Sequence, residues 1–238
     1  METLPKREED QRIPEELRKT YPNVKLVREN PVFAVFEARP DNQQKRKRVL
    51  IKTVNSDSSL YQANSTAINH MLNQEIASIE FYRKNKHVAK IFQKGENKKG
   101  KKPWYSIEYQ KSLSQLLKEK HSDLERTVEL LIHNVASAMS YAHCVERVVL
   151  LGLTPEHIVY DPEADIFKIA DWETAFIAKE KRSLDTAYKD PLMFSIELNA
   201  VLRSNRLYLA PEIEALLDKK PIGNLQTLQF GAAFSLGL

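Results

Sequence analysis

The feature that most restricts how this chain can fold is a set of three short apolar segments within residues 147–176, RVVLLGLTPEHIVYDPEADIFKIADWETAF. Residues 148–151 and 158–160 flank the turn Leu153-Thr154-Pro155-Glu156, and residues 167–170 follow the turn-like Asp161-Pro162-Glu163-Ala164-Asp165. Apolar segments this short, bounded by Pro and Asp, predict buried strands joined by tight turns. The third delivers Asp171 at its end, where an acidic side chain can face a cleft.

That arrangement resembles the catalytic loop and metal-binding turn of eukaryotic-type protein kinases, H-R-D-L-x-P-E-N followed by D-F-G. Leu153, Pro155, Glu156 and Asp171 match the pattern. Anchored on Pro155, the family's His-Arg-Asp falls on Leu150-Leu151-Gly152, its metal-binding Asn on His157, and its phosphate-assisting Lys on Thr154. In a working kinase the Asp accepts the substrate hydroxyl's proton and the Asn holds a second magnesium. Gly152 has no side chain for the first task, so no catalytic residue is expected. His157 offers a borderline nitrogen where magnesium prefers oxygen. Losing a positioned acid–base group costs about 10²–10⁴-fold in rate.

Strand-like alternation begins earlier, at residues 24–27, 32–36 and 49–54. In the resemblance these open the small lobe. Val35 matches the Val above the adenine, and Val49-Leu50-Ile51-Lys52 matches the V-A-I-K strand. The family's glycine-rich loop falls on Arg28, Asn30 and Phe33, and the chain has no glycine before Gly95. Close backbone approach to phosphates leaves no room for a Cβ. Phe33, and Leu50 in place of a small Ala, are expected to fill a small hydrophobic core; the sharper alternative is that they narrow the nucleotide pocket, and both argue against an ordinary ATP site. Lys52 is the residue that would meet the phosphates and a Glu on the next helix. Leu72, Glu75, Ile76, Ile79 and Tyr82 share a helical stripe, which makes Glu75 rather than Glu80 the candidate partner. Residues 104–109 resemble the strand before the interlobe hinge, with Ile107 at the back of the cleft and residues 108–110, including Glu108, supplying hinge groups. Val159 would complete the adenine pocket.

Further along, Ser122 and Glu125 read as a capping box for a helix with Leu124, Val128, Leu131, Val135, Ala138 and Ala142 on one stripe. His133 and His143 sit in ordinary helix sequence, with no ligand-spaced partner. After Asp171 the family's Phe-Gly becomes Trp172-Glu173. Glu173 reads as a solvated residue on a fixed loop; the sharper alternative has Asp171 and Glu173 holding a metal together. Leu150 and Trp172 read as apolar fillers between the lobes, and Leu151 replaces the Arg that grips a phosphorylated activation loop. Ala210-Pro211-Glu212 matches A-P-E, and residues 228–238 resemble the start of the central large-lobe helix, with Gln226 at its anchoring Asp position.

Composition sets the remaining limits. With 238 residues and 42% hydrophobic content the chain can bury one domain or two lobes. A net charge of +4 does not mark a nucleic-acid binder. Cys144 is the only cysteine, which excludes an internal disulfide and fits an intracellular, cytoplasmic setting. The amino terminus lacks the apolar core of a signal peptide, and no apolar run is long enough to span a bilayer, so no membrane partner is expected. Two basic clusters, at 45–48 and 83–102, read as solvated hairpin residues or, alternatively, as a face for an acidic partner.

The kinase resemblance implies an α+β, protein-kinase-like two-lobe fold: a charged extension over 1–19, a β-sheet lobe with one helix over 20–110, and a mainly helical lobe over 111–238, truncated at its central helix. Phe230, Phe234, Leu236 and Leu238 are then expected to be partly exposed. The expected function is a catalytically impaired module that binds or scaffolds a protein partner, with no cofactor. Two alternatives remain. One is a divergent active serine/threonine kinase using ATP, Mg²⁺, Lys52, Asp171 and a base such as Glu156 or Glu173. The other is a partial product without independent activity.

Overall fold

Alternating apolar residues build the first sheet. In β1 (Asn23–Glu29), β2 (Phe33–Arg39), β3 (Val49–Val54), β4 (Ile91–Lys94) and β5 (Trp104–Glu108), neighbouring strands run antiparallel in the order β1-β2-β3-β5-β4. Both faces of β2 and β3 are covered, so both sets of alternate side chains are buried. On one face Ala34, Phe36, Ala38, Val49, Ile51 and Trp104 pack under α1 (Glu15–Thr20), through Leu17 and the preceding Ile13. The end of the 1–19 extension, which its charge predicts to be solvated with a short helix after Pro14, forms that helix but is docked on the sheet. Burying a large apolar side chain contributes about 1.5–3 kcal/mol, which outweighs the pull of the flanking charges into water.

The structure is a computed structural model, and it describes residues 12–13, 15–39, 47–95, 102–119, 124–142, 148–177, 200–203, 209 and 214. Several sequence expectations lie outside those residues: the basic residues at 45–46 and 96–101, Ser122, His143, Ala210-Pro211-Glu212, Gln226 and the whole of 228–238. Among the described residues no helix is long and apolar enough to cross a membrane.

The sheet's other face carries α2 (Ser59–Phe81). Ser58 caps it by accepting from the Tyr61 N–H, and Asn64 breaks the helical dihedrals one turn in. Ile68, Leu72, Ile76 and Ile79 then pack against Phe33, Val54, Tyr105 and Ile107. Glu75 lies on this buried stripe, while Glu80 points outward to meet Lys94 at 2.7 Å. Gly95 closes the β4–β5 ladder, and an added Cβ would lie 2.1 Å from the Trp104 indole nitrogen. The first glycine of the chain thus serves packing.

Beyond β5 the chain forms β6 (Lys111–Ser112), α3 (Leu113–Lys118), whose start is sealed by a Ser112–Gln115 capping box, and α4 (Leu124–Ser140). Val135, Ala138 and Ala142 are buried as the stripe requires, but Val128 is 42% exposed and Asn134 is buried instead. The Asn134 carboxamide accepts from the Phe167 N–H, joining α4 to the strands behind it. Those strands are β7 (Val148–Leu150), β8 (Ile158–Asp161), β9 (Ile166–Ile169) and β10 (Ala175–Ile177), paired as β6-β8-β9 and β10-β7. Asp165 takes φ 51° in the β8–β9 turn, a conformation Asp tolerates. Finally, the loop after α2 is laced to β9: Ile169 donates to His87 O at 2.8 Å and Ala89 donates to Ile169 O at 2.9 Å. This lacing fixes the end of β9 beside α2 and β3.

Candidate functional site

Three separate pieces of chain converge on one ammonium group. Strand alternation turns Lys52 of β3 toward α2, where Glu75 waits on the buried stripe; the end of β9 supplies Asp171, and the turn after it supplies Glu173. The Lys52 Nζ lies 3.0 Å from Glu75 Oε2, 2.8 Å from Asp171 Oδ1 and 2.6 Å from Glu173 Oε2. An ammonium has three N–H donors, and here each faces a different carboxylate. The Phe33 ring closes the remaining side, with its centroid 4.6 Å from Nζ.

Secondary contacts hold each carboxylate in place. Glu75 Oε1 accepts from the Tyr105 hydroxyl at 2.9 Å and from the Trp172 N–H at 2.9 Å. Asp171 Oδ1 also accepts from the Glu173 N–H at 3.1 Å, a tight local turn that folds the Glu173 side chain back toward Lys52. On its other oxygen Asp171 meets Arg28 at 2.6 Å. Arg28 reaches across from β1 because the β1–β2 register shifts between Leu26 and Arg28, and such a bulge re-aims the side chain that follows it.

Burial and charge set the protonation states. Burial opposes ionisation of Asp171, but Lys52 and Arg28 outweigh it and hold the carboxyl well below the usual range. For Lys52 burial is likewise outweighed, by Asp171, Glu173 and Glu75, and its pKa rises. Glu75 goes the other way: burial, reinforced by its two acidic neighbours, overcomes Lys52 and pushes it up to about 8. His157 is lowered, chiefly by burial, and so is neutral near pH 7.

A cleft of about 290 Å³ opens beside this cluster, lined by Val35, Leu50, Ile107, Val159 and Ala170 on its apolar side. Arg28, Lys52 and Asp171 form its charged end. Of the residues the sequence assigned here, Glu75 lies behind Lys52 instead of in the lining. Glu108 points outward to Lys47, 2.5 Å away. Phe33 packs under Lys52 in the core and does not line the cleft, whereas Leu50 packs against that core and lines the cleft.

Two expectations change. Glu173 is not solvated: its side chain is 4% exposed and ion-paired to Lys52. Arg28, read only as a missing glycine, proves to be a second cation on Asp171. The loss of glycine beside a gain of positive charge was the one available signal. Leu150 and Trp172 do fill buried space, and Tyr82 stacks on Trp172 with centroids 4.9 Å apart.

Magnesium with a nucleotide does not fit these residues. Lys52 has no free N–H for a phosphate, and the β1–β2 turn has none either. The Asn30 side-chain oxygen accepts from the Val32 and Phe33 N–H groups at 2.8 and 2.7 Å. Gly152 is buried, its N–H donating to Thr174 Oγ1 at 3.1 Å. A Cβ there would meet Leu202 Cδ2 at 3.3 Å and Thr174 Cγ2 at 3.4 Å. The substitution Gly152→Asp is therefore expected to destabilise the protein by about 1–3 kcal/mol, through overpacking. It should create no phosphoryl transfer. Thermal denaturation and a phosphate-incorporation assay check the two halves, and a stable, active variant would contradict both.

No protein-family model matches the chain, and no curated protein matches it either.

Proposed function

We propose that this chain is a protein-kinase-like domain that has lost phosphoryl transfer and serves as a binding module for a protein partner. The observation that carries the reading is the saturation of Lys52: three buried acidic side chains engage its three donors, where a phosphate-transferring site would leave it facing the ligand. Gly152 supports it, because the position aligned with the family's proton acceptor carries no side chain. The kinase-like two-lobe identity itself rests on the match of Lys52, Glu75, Pro155, Glu156 and Asp171 to the family's pattern, and on Lys52 and Glu75 meeting as that pattern requires.

The same Lys52–Glu75 contact favours a second reading, a divergent active kinase. Its two candidate bases are poorly suited. Glu173 is tied to Lys52. Glu156 borders the cleft, but although burial would raise its pKa, hydrogen bonds from Ser114 and Thr154 outweigh that and hold it below the usual range, making it a weak base. An acidic partner at the basic clusters belongs to the same proposal. Part of their charge is already met within the chain, by Glu108 on Lys47 and Glu80 on Lys94.

Incubation of purified protein with labelled ATP and either Mg²⁺ or Mn²⁺, alone and with generic protein acceptors, tests the choice. No incorporation above the Asp171→Ala background is expected. Incorporation that disappears in Lys52→Ala or Asp171→Ala would establish the second reading.

A further inference from the structure

The His157 ring makes no hydrogen bond among the described residues, and its Nε2 faces two carboxylates. It is 3% exposed, and buried polar groups are almost always paired. Its Nε2 faces Asp171 Oδ2 at 4.0 Å and Glu173 Oε1 at 3.9 Å, too far for hydrogen bonds. The three ligand atoms lie within 4.8 Å of one another. Lys52 takes the opposite oxygens, Asp171 Oδ1 and Glu173 Oε2. Glu173 therefore presents one oxygen to the ammonium and the other to the imidazole, whereas Asp171 Oδ2, which faces the imidazole at 4.0 Å, also accepts from Arg28 at 2.6 Å.

We propose that His157, Asp171 and Glu173 form a nucleotide-independent site for a zinc-class divalent cation, bound through His157 Nε2, Asp171 Oδ2 and Glu173 Oε1. One imidazole and two carboxylates are a donor set that suits borderline metals, whereas magnesium selects oxygen donors and retains its waters. Zinc bonds of about 2.0–2.2 Å in a tetrahedron separate ligand atoms by about 3.4 Å. Bringing His157 Nε2 from 3.9–4.0 Å to that spacing requires movements of about half an ångström, and the two carboxylate oxygens, within 4.8 Å of each other, close by side-chain rotation as well. The local turn through the Glu173 N–H and Asp171 Oδ1 already places both carboxylates on the same side of the chain. With three protein ligands the site resembles catalytic zinc centres in keeping a fourth position for water. Arg28 on Asp171 Oδ2 and Lys52 beside both carboxylates compete with the cation for the same negative charge. That competition distinguishes a metal site from a purely structural cluster, because removing a competitor must tighten metal binding even while it weakens the fold. The site stands on its own geometry and does not require the kinase-like reading.

The test uses the full chain, stripped with chelator and titrated with Zn²⁺ or Co²⁺ by calorimetry and visible absorption. One equivalent of Zn²⁺ is expected to bind at micromolar concentration and to survive millimolar Mg²⁺. His157→Asn and Glu173→Gln should each weaken it by at least about 10-fold. Lys52→Met should tighten it by at least about 10-fold, and Zn²⁺ should raise the melting temperature of Lys52→Met more than that of the parent. Should either ligand variant fail to fold, the Co²⁺ spectrum of the unmodified protein decides: intense bands of a four- or five-coordinate ion are expected. Absence of stoichiometric binding, a pale six-coordinate spectrum, equal affinity in both ligand variants, or no gain in Lys52→Met would overturn the proposal.

Discussion

Replacing Lys52 by methionine is expected to lower the melting temperature of the metal-free protein by roughly 6–20 °C. Removing one partner of a buried ion pair costs about 3–5 kcal/mol, because the other charge is left uncompensated in a poorly polarisable surrounding. At this chain length each kcal/mol corresponds to about 2–4 °C. Lys52 engages Glu75, Asp171 and Glu173 together, and among the described residues only Asp171 of the three also meets Arg28. Methionine keeps the stem's packing and deletes the charge alone. Adding Glu173→Gln to Lys52→Met should recover part of the loss, since a neutral amide tolerates the missing ammonium. Circular dichroism melts of the two variants give the comparison. A fall of less than about 2 °C for the single variant would mean that water screens the cluster, contrary to its burial.

Much of the frame was legible from periodicity. Residues 49–54 carry the same bounds in the sequence and the structure, because β-branched residues alternate there without interruption. The choice of Glu75 over Glu80 followed from a helical stripe, a purely local property. What escaped the sequence was long-range. Arg28 and Asp171 are separated by 143 positions, and only a bulge in β1 aims one at the other. Glu173 sits in a loop sequence that reads as solvated, yet a backbone hydrogen bond to Asp171 folds it into the interior. Residues 12–20 look like a charged tail by composition, but Ile13 and Leu17 are enough to dock them on the sheet. Val128 shows the opposite error: helical spacing placed it on a buried stripe that its neighbours do not cover among the described residues.

The central claim is that Lys52 and the β1–β2 turn, the groups that would meet a phosphate in the family's pattern, are already engaged by the protein itself. The most direct measurement of it is the melting temperature with millimolar ATP, in the presence and absence of Mg²⁺. Lys52 offers no free donor, the Val32 and Phe33 N–H groups are taken by Asn30, and Asp171 is shared between Lys52 and Arg28. Charge retained in the cleft cannot act on a ligand whose contacts are occupied. A ligand present at 100 times its dissociation constant stabilises a fold by about 2.7 kcal/mol, which here corresponds to roughly 5–11 °C. The expected shift with ATP is below about 1 °C, with or without the metal. A rise of several degrees that Lys52→Ala abolishes would contradict it, and would show that the ion cluster opens to admit the nucleotide.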